Sequence, residues 1–169
     1  EIRKVLGPGK PFFFWIGSSI PSPEKRTAEE IRCASYLALM YGAAGIVFHM
    51  GHRGVDPTFT RHWSVYSGLS REVAEVFAML TAPQQEPEPK ITVVPDSIDY
   101  RVRQYNDRLY LIAVNTADHL VEATVSFGEK LFTPKRIGLR FENRDIDPQG
   151  NRFNDTFTAY EPHVYEFEP

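Results

Sequence analysis

Residues 27–50 read TAEEIRCASYLALMYGAAGIVFHM, a helix that runs directly into a buried strand. Thr27 and Glu30 stand three apart, the spacing of a capping box in which the hydroxyl takes one backbone N–H and the carboxylate returns to another. From there Ile31, Ala34, Ala38 and Tyr41 keep a helical period, Leu37 and Leu39 widen the apolar face, and Gly42 and Gly45 end it. The run from Gly45 to Met50 is apolar without alternation, as expected of a strand covered on both faces.

Upstream, Pro11 to Ile16 (PFFFWI) is a second run of the same kind, closed by Gly17, Ser18 and Ser19 and by a loop holding Pro21 and Pro23. A helix between two covered strands is a βαβ crossover, which predicts a parallel pair. Downstream, the density of His, Arg, Asp and Trp predicts a long loop over 51–68. A helix is then expected to open at Ser70, with Leu69, Val73, Val76, Phe77 and Leu80 on one face.

Residues 83–90, with three prolines, read as a stiff extended linker. Beyond it the hydrophobic period changes from 3.6 to 2. Strands are expected at 91–94, 98–104, 109–115, 121–127, 136–141, 153–157 and 163–167. Turn residues separate them, including Asn106-Asp107, Gly128 and Asp147 to Gly150. Short strands with regular turns predict an antiparallel sandwich over 91–169.

The chain has 169 residues, 42% hydrophobic and 24% charged, enough for one sizeable core or two small ones. Its net charge of −3, with Lys and Arg scattered, argues against nucleic acid as a partner. No apolar run reaches the length of a membrane span, and no membrane association is expected. The single cysteine, Cys33, forms no intrachain disulfide and reads as a packing residue on its helix, so the compartment is left open.

The segment PSPEKRTAEEIRCASYLALMYGAAGIVFHM, with its spaced Glu-Glu, Arg, Tyr-Leu-Ala-Leu and Gly-Ala pattern, resembles the end of (β/α)8-barrel glycoside hydrolases. LYLIAVN (109–115) and DTFTAYEPHVYEFEP (155–169) resemble the β-sandwich that closes many such enzymes. The fold this implies is α/β plus all-β. A partial (β/α)8 barrel of two β/α units spans 1–83, a Pro-rich linker 84–90, and an antiparallel β-sandwich 91–169.

The resemblance also implies that most of the barrel, with its acid/base Glu on the fourth strand, lies outside this sequence. The nucleophilic Glu of the family ends strand seven, where this chain has Trp15 to Ser19 and no carboxylate. Glycoside cleavage needs two carboxyl groups flanking one bond. Of the acids in residues 1–83, only Asp56 and Glu24 fall in a loop after a strand; Asp56 is the catalytic candidate.

The richest cluster follows the second strand: His49, His52, Arg53, Asp56, His62 and Trp63. Imidazoles, a guanidinium and a carboxylate suit sugar hydroxyls, and an indole suits a sugar face. The carbohydrate-binding candidates are therefore Trp15, His49, His52, Arg53 and Trp63. An ordinary polar loop anchored by Trp63 is the competing reading, and Trp15 reads equally as a subsite floor or as core. The His spacing matches no standard zinc signature, so no metal and no cofactor is expected. Ser18 and Ser19 form no nucleophile elbow. Tyr100, Tyr105, Tyr110, Tyr160 and Tyr165 read as core or cross-strand residues before a sugar-binding face.

Three functions follow, in order. The first is a C-terminal fragment of a glycoside hydrolase, its partners a carbohydrate and either a second copy or the remaining barrel strands. The second is a non-catalytic carbohydrate-binding or scaffolding protein. The third is a small hydrolase of another type built by self-association and dependent on His49 or His52.

Overall fold

The computed structural model describes residues 10–17, 26–49, 57–82, 89–128 and 134–168; within these, the side chains of Gly17, His49 and residues 57–65 are not characterised. Strand β1 (Phe13–Gly17) and strand β2 (Gly45–His49) pair in parallel, joined by helix α1 (Ala28–Met40), so the expected crossover forms. Both halves of the capping box are present: Thr27 N–H donates to Glu30 Oε2 at 2.7 Å, and Glu30 N–H to Thr27 Oγ1 at 3.2 Å.

The expected loop over 51–68 is largely helix. Helix α2 runs Pro57–Thr81, well ahead of the expected start at Ser70. Proline suits the first turn of a helix, where its missing N–H has no intrahelical acceptor to serve. The buried positions Tyr66, Leu69, Val76 and Met79 step by three, seven and three residues, a helical stripe that the polar residues between them hide in the sequence.

Eight further strands follow: β3 (Ile91–Val94), β4 (Ile98–Tyr105), β5 (Arg108–Asn115), β6 (Val121–Phe127), β7 (Arg136–Arg140), β8 (Asp145–Ile146), β9 (Arg152–Phe157) and β10 (Pro162–Glu168). They form two antiparallel sheets, β4-β5-β10-β7-β8 and β3-β6-β9. All seven expected strands are present to within a residue or two, and β8, only two residues long, is added. The β4–β5 hairpin turns on Asn106 and Asp107, both with φ near the left-handed well (50° and 59°), the pair of conformations a two-residue hairpin requires.

The sheets face each other across a core that includes Val93, Leu111, Val125, Phe127, Ile137, Phe153, Phe157, Tyr165 and Phe167. Phe127 meets Phe167 edge-on at 5.1 Å, and Phe153 meets Tyr165 likewise at 5.1 Å, the arrangement aromatic quadrupoles favour. A second core joins α1, α2 and Ile16 to the outer face of the larger sheet through Tyr110, Ile112, Val114 and Val164. Strand β5 thus alternates Leu109, Leu111 and Ala113 into one core and Tyr110, Ile112 and Val114 into the other. That is why LYLIAVN has no polar alternation.

Polar contacts fix the helices in place. Arg32 on α1 binds Glu72 on α2, and the Tyr36 hydroxyl donates to the same carboxylate at 3.0 Å. Arg140 on β7 donates to Glu75 on α2 at 2.7 Å and to Glu166 on β10 at 3.3 Å, and Arg108 also pairs with Glu166. Among the described residues no helix is long and apolar enough to cross a membrane.

Candidate functional site

In α/β folds, ligands gather at the C-terminal ends of parallel strands, because the loops leaving those ends converge there. Here the register places Trp15 opposite Val47 and Gly17 opposite His49, so both strands end level. Alternation divides β1 cleanly. Ile16 is fully buried and Phe14 packs against the helical core, whereas Phe13 and Trp15 are 66% and 64% exposed on the other face. Val47 is exposed beside them, and a Cβ on Gly45 would lie 2.9 Å from the Phe13 ring, so that ring covers the glycine. Among the described residues, the two-stranded sheet is therefore covered by helices on one side and presents an aromatic surface, uncovered, on the other. Trp15 is therefore not part of the helical core that buries Ile16.

Of the remaining candidates, His49 ends β2 at the register position facing Gly17. His52, Arg53 and Asp56 lie outside the described residues, as does Glu24. His62 and Trp63 belong to α2 and not to a loop, so the cluster read as one loop is divided between a strand end, the connection after it and a helix. The backbone places Trp15 at the middle of β1, two positions before the Gly17–His49 pair that ends the sheet.

Three of the four described acids of the first 82 residues have structural employment. Glu30 closes the cap of α1, Glu72 holds Arg32 and Tyr36, and Glu75 holds Arg140. Burial and the neighbouring Glu72 carboxylate push the Tyr36 hydroxyl far up, so it stays protonated and serves as a donor. Only Glu29, on the exposed first turn of α1, lacks such a role among the contacts found, and its position favours the helix dipole.

Sequence reading missed a polar cluster inside the sandwich. His163 is buried and stacks on Phe157 with ring centres 4.1 Å apart. Its Nδ1 lies 3.0 Å from Asp155 Oδ2, and its Nε2 lies 3.5 Å from carboxylate oxygens of both Glu142 and Glu161. Asp155 also accepts from Tyr165 Oη at 2.7 Å and from Arg144 by two bonds of 2.9 and 3.0 Å. Burial alone would raise the Asp155 carboxyl, but contacts with His163, Arg144 and Tyr165 outweigh it and hold the group well below the usual range. The available signal was a histidine at an inward position of β10, two residues before the inward Tyr165. Enclosed and multiply bonded, the cluster stabilises the sandwich, and no group of three or more His, Cys, Asp or Glu among the described residues is arranged to hold a metal.

Solved structures give 44 matching chains, whereas no protein-family model matches the sequence and comparison with curated proteins gives no match. The α-amylase of Geobacillus thermoleovorans complexed with acarbose matches over 86% of this chain and 34% of its own length, with a TM-score of 0.60 and 13% identity. The fold is similar to that of part of this enzyme. An Anoxybacillus α-amylase matches over 94% of this chain and 38% of its own, with a TM-score of 0.59 and 10% identity. A family GH27 β-L-arabinopyranosidase from Geobacillus stearothermophilus, in complex with arabinose, matches over 88% and 33%, with a TM-score of 0.56 and 13% identity. At such identities the likeness is one of fold, and it bears out the resemblance read from the sequence. The chain spans 33–38% of the length of these three structures.

Proposed function

We propose that this chain is the C-terminal portion of a (β/α)8-barrel glycoside hydrolase, with residues 1–83 as the last two β/α units, 84–90 as a linker and 91–169 as the closing sandwich. The observation that carries this is the β1–β2 pair, backed by α1 and α2 and open on its Phe13 and Trp15 face. In a complete barrel that face is the interior, filled by side chains from the other strands. The site would lie at the strand ends, with Trp15, His49, His52, Arg53 and Trp63 contacting a carbohydrate.

On this reading the chain alone is not a competent glycosidase. Asp56 is its one candidate carboxylate, and cleavage needs two. The remaining barrel strands, or a second copy of the chain, would complete the enclosure. An unpaired apolar sheet face is also a driver of association.

Non-catalytic carbohydrate binding is the second reading, favoured by the structural contacts that engage Glu30, Glu72 and Glu75. Native mass spectrometry and a glycan-binding screen of the chain, with Asp56→Ala and Trp63→Ala variants, test both. The glycosidase reading expects glycan binding that Trp63→Ala removes, with turnover appearing only when the missing strands are supplied and lost in Asp56→Ala. Binding that survives Asp56→Ala, with no turnover in the completed assembly, supports the second. No glycan binding by the chain or the assembly overturns both.

A further inference from the structure

Among the described strands, β4 forms one edge of the five-stranded sheet. Hairpin geometry fixes which backbone groups it turns outward. Tyr105 and Arg108 flank the two-residue turn and so form a hydrogen-bonded pair. By alternation Arg103, Arg101 and Asp99 also bond to β5, and Gln104, Val102 and Tyr100 direct their N–H and C=O groups away from β5.

Two of those outward acceptors are occupied by the chain itself. Arg101 Nη1 donates to the Tyr100 carbonyl at 2.6 Å, and Arg103 Nη1 donates to the Val102 carbonyl at 2.7 Å. Arg101 is also held in position from two further directions. Its Nη1 lies 3.2 Å from Asp99 Oδ1, and its guanidinium lies 4.9 Å from the centre of the Tyr41 ring. Tyr41, the residue that caps α1, donates its hydroxyl to the other Asp99 oxygen, so the end of the helix braces the arginine over the strand edge.

We propose that Arg101 and Arg103 close the β4 edge against strand addition, so that a second copy of β4 cannot extend the five-stranded sheet. An incoming strand needs the Tyr100 and Val102 carbonyls as acceptors. It must first displace two guanidinium groups, one of them clamped by a carboxylate and a ring. Charged residues on an edge are a general defence against such pairing; here the defence is made at the backbone acceptors themselves. The inference is independent of the glycoside-hydrolase reading.

Sedimentation velocity of the full chain tests it, comparing wild type with the Arg101→Ala/Arg103→Ala double variant at low salt and in about 1 M NaCl, where screening shortens to ~3 Å. The double variant is expected to self-associate at concentrations roughly tenfold or more below wild type in both salts. Adding Gln104→Pro, which removes an outward N–H, should return it to wild-type behaviour. If the double variant matches wild type, the edge needs no guard and the proposal is overturned. If wild type in high salt associates as the variant does, charge repulsion alone guards the edge and capping of the carbonyls is overturned. Circular dichroism checks that the variant is folded; should it not be, Arg103→Ala alone carries the same test, with a smaller shift expected and no shift overturning the proposal.

Discussion

Arg32 on α1 and Glu72 on α2 meet in a two-point ion pair, Nε to Oε2 at 3.0 Å and Nη2 to Oε1 at 3.1 Å. The pair is part-buried, and the Tyr36 hydroxyl completes the carboxylate's shell. Together with the Tyr36 hydroxyl it ties α1 to α2 at one carboxylate, beside the apolar packing of the two helices.

Arg32→Ala should therefore destabilise the chain by about 1–2 kcal/mol, between the worth of an exposed pair and the cost of stranding a buried charge. Urea denaturation followed by circular dichroism would show a lower midpoint with an unchanged slope. The double change Arg32→Ala/Glu72→Ala should cost less than the sum of the two single changes, because each single variant leaves a partner without its counter-charge.

Stability should fall in acid through Asp155. Its folded-state carboxyl titrates below the unfolded one, so its contribution is fully present above about pH 4 and is lost as pH falls toward the folded value. Wild type should exceed Asp155→Asn in urea midpoint at pH 7, and the gap should narrow steadily below about pH 4. A gap constant with pH would contradict the assignment.

Trp15 offers a separation of binding from stability. Because its side chain is largely exposed, Trp15→Ala should shift stability by no more than about 0.5 kcal/mol. If the Trp15 indole contacts the sugar bound at the strand ends, the same change should weaken glycan affinity roughly tenfold or more in the screen that detects binding. Equal affinity in wild type and variant would remove Trp15 from the site.

The Cys33 thiol should be inert in the folded chain. Burial, with a smaller contribution from Glu30, pushes it up to about 11, and the side chain lies within the helical core. At pH 8 a thiol reagent such as DTNB should label the folded chain far more slowly than the urea-unfolded chain, in which the group returns to an ordinary cysteine.

The local rules were readable from residue types. Thr27 and Glu30 announced the start of α1 because a capping box is a contact between near neighbours in sequence. The strands of 91–169 could be read because side chains alternate along half-buried strands such as β3 and β6, and because turn residues such as Asn106-Asp107 punctuate the strands that are covered on both faces. The beginning of α2 was not readable: its first turns, Pro57 to Trp63, carry too many polar residues for the apolar stripe to show.

The candidate site was legible only as an inventory. His49 and Trp15 could be named, but their arrival within two positions of each other on one sheet follows from the β1–β2 register, which is set by backbone pairing 32 residues apart along the chain. The His163 cluster lay further from view. Its members come from β9, β10 and the segments that follow β7 and precede β10, and only the closure of two sheets brings their charges together. By itself the sequence determined α1, β1, β2 and the strands of 91–169, but not the first turns of α2, since these elements depend on periodicity and near-neighbour hydrogen bonds. Only the tertiary structure decided that β5 would be covered on both sides, that Trp15 would face outward and that Arg101 would be braced by Tyr41. Those outcomes rest on contacts between residues far apart in the chain, whose geometry exists only once the sheets and helices have packed.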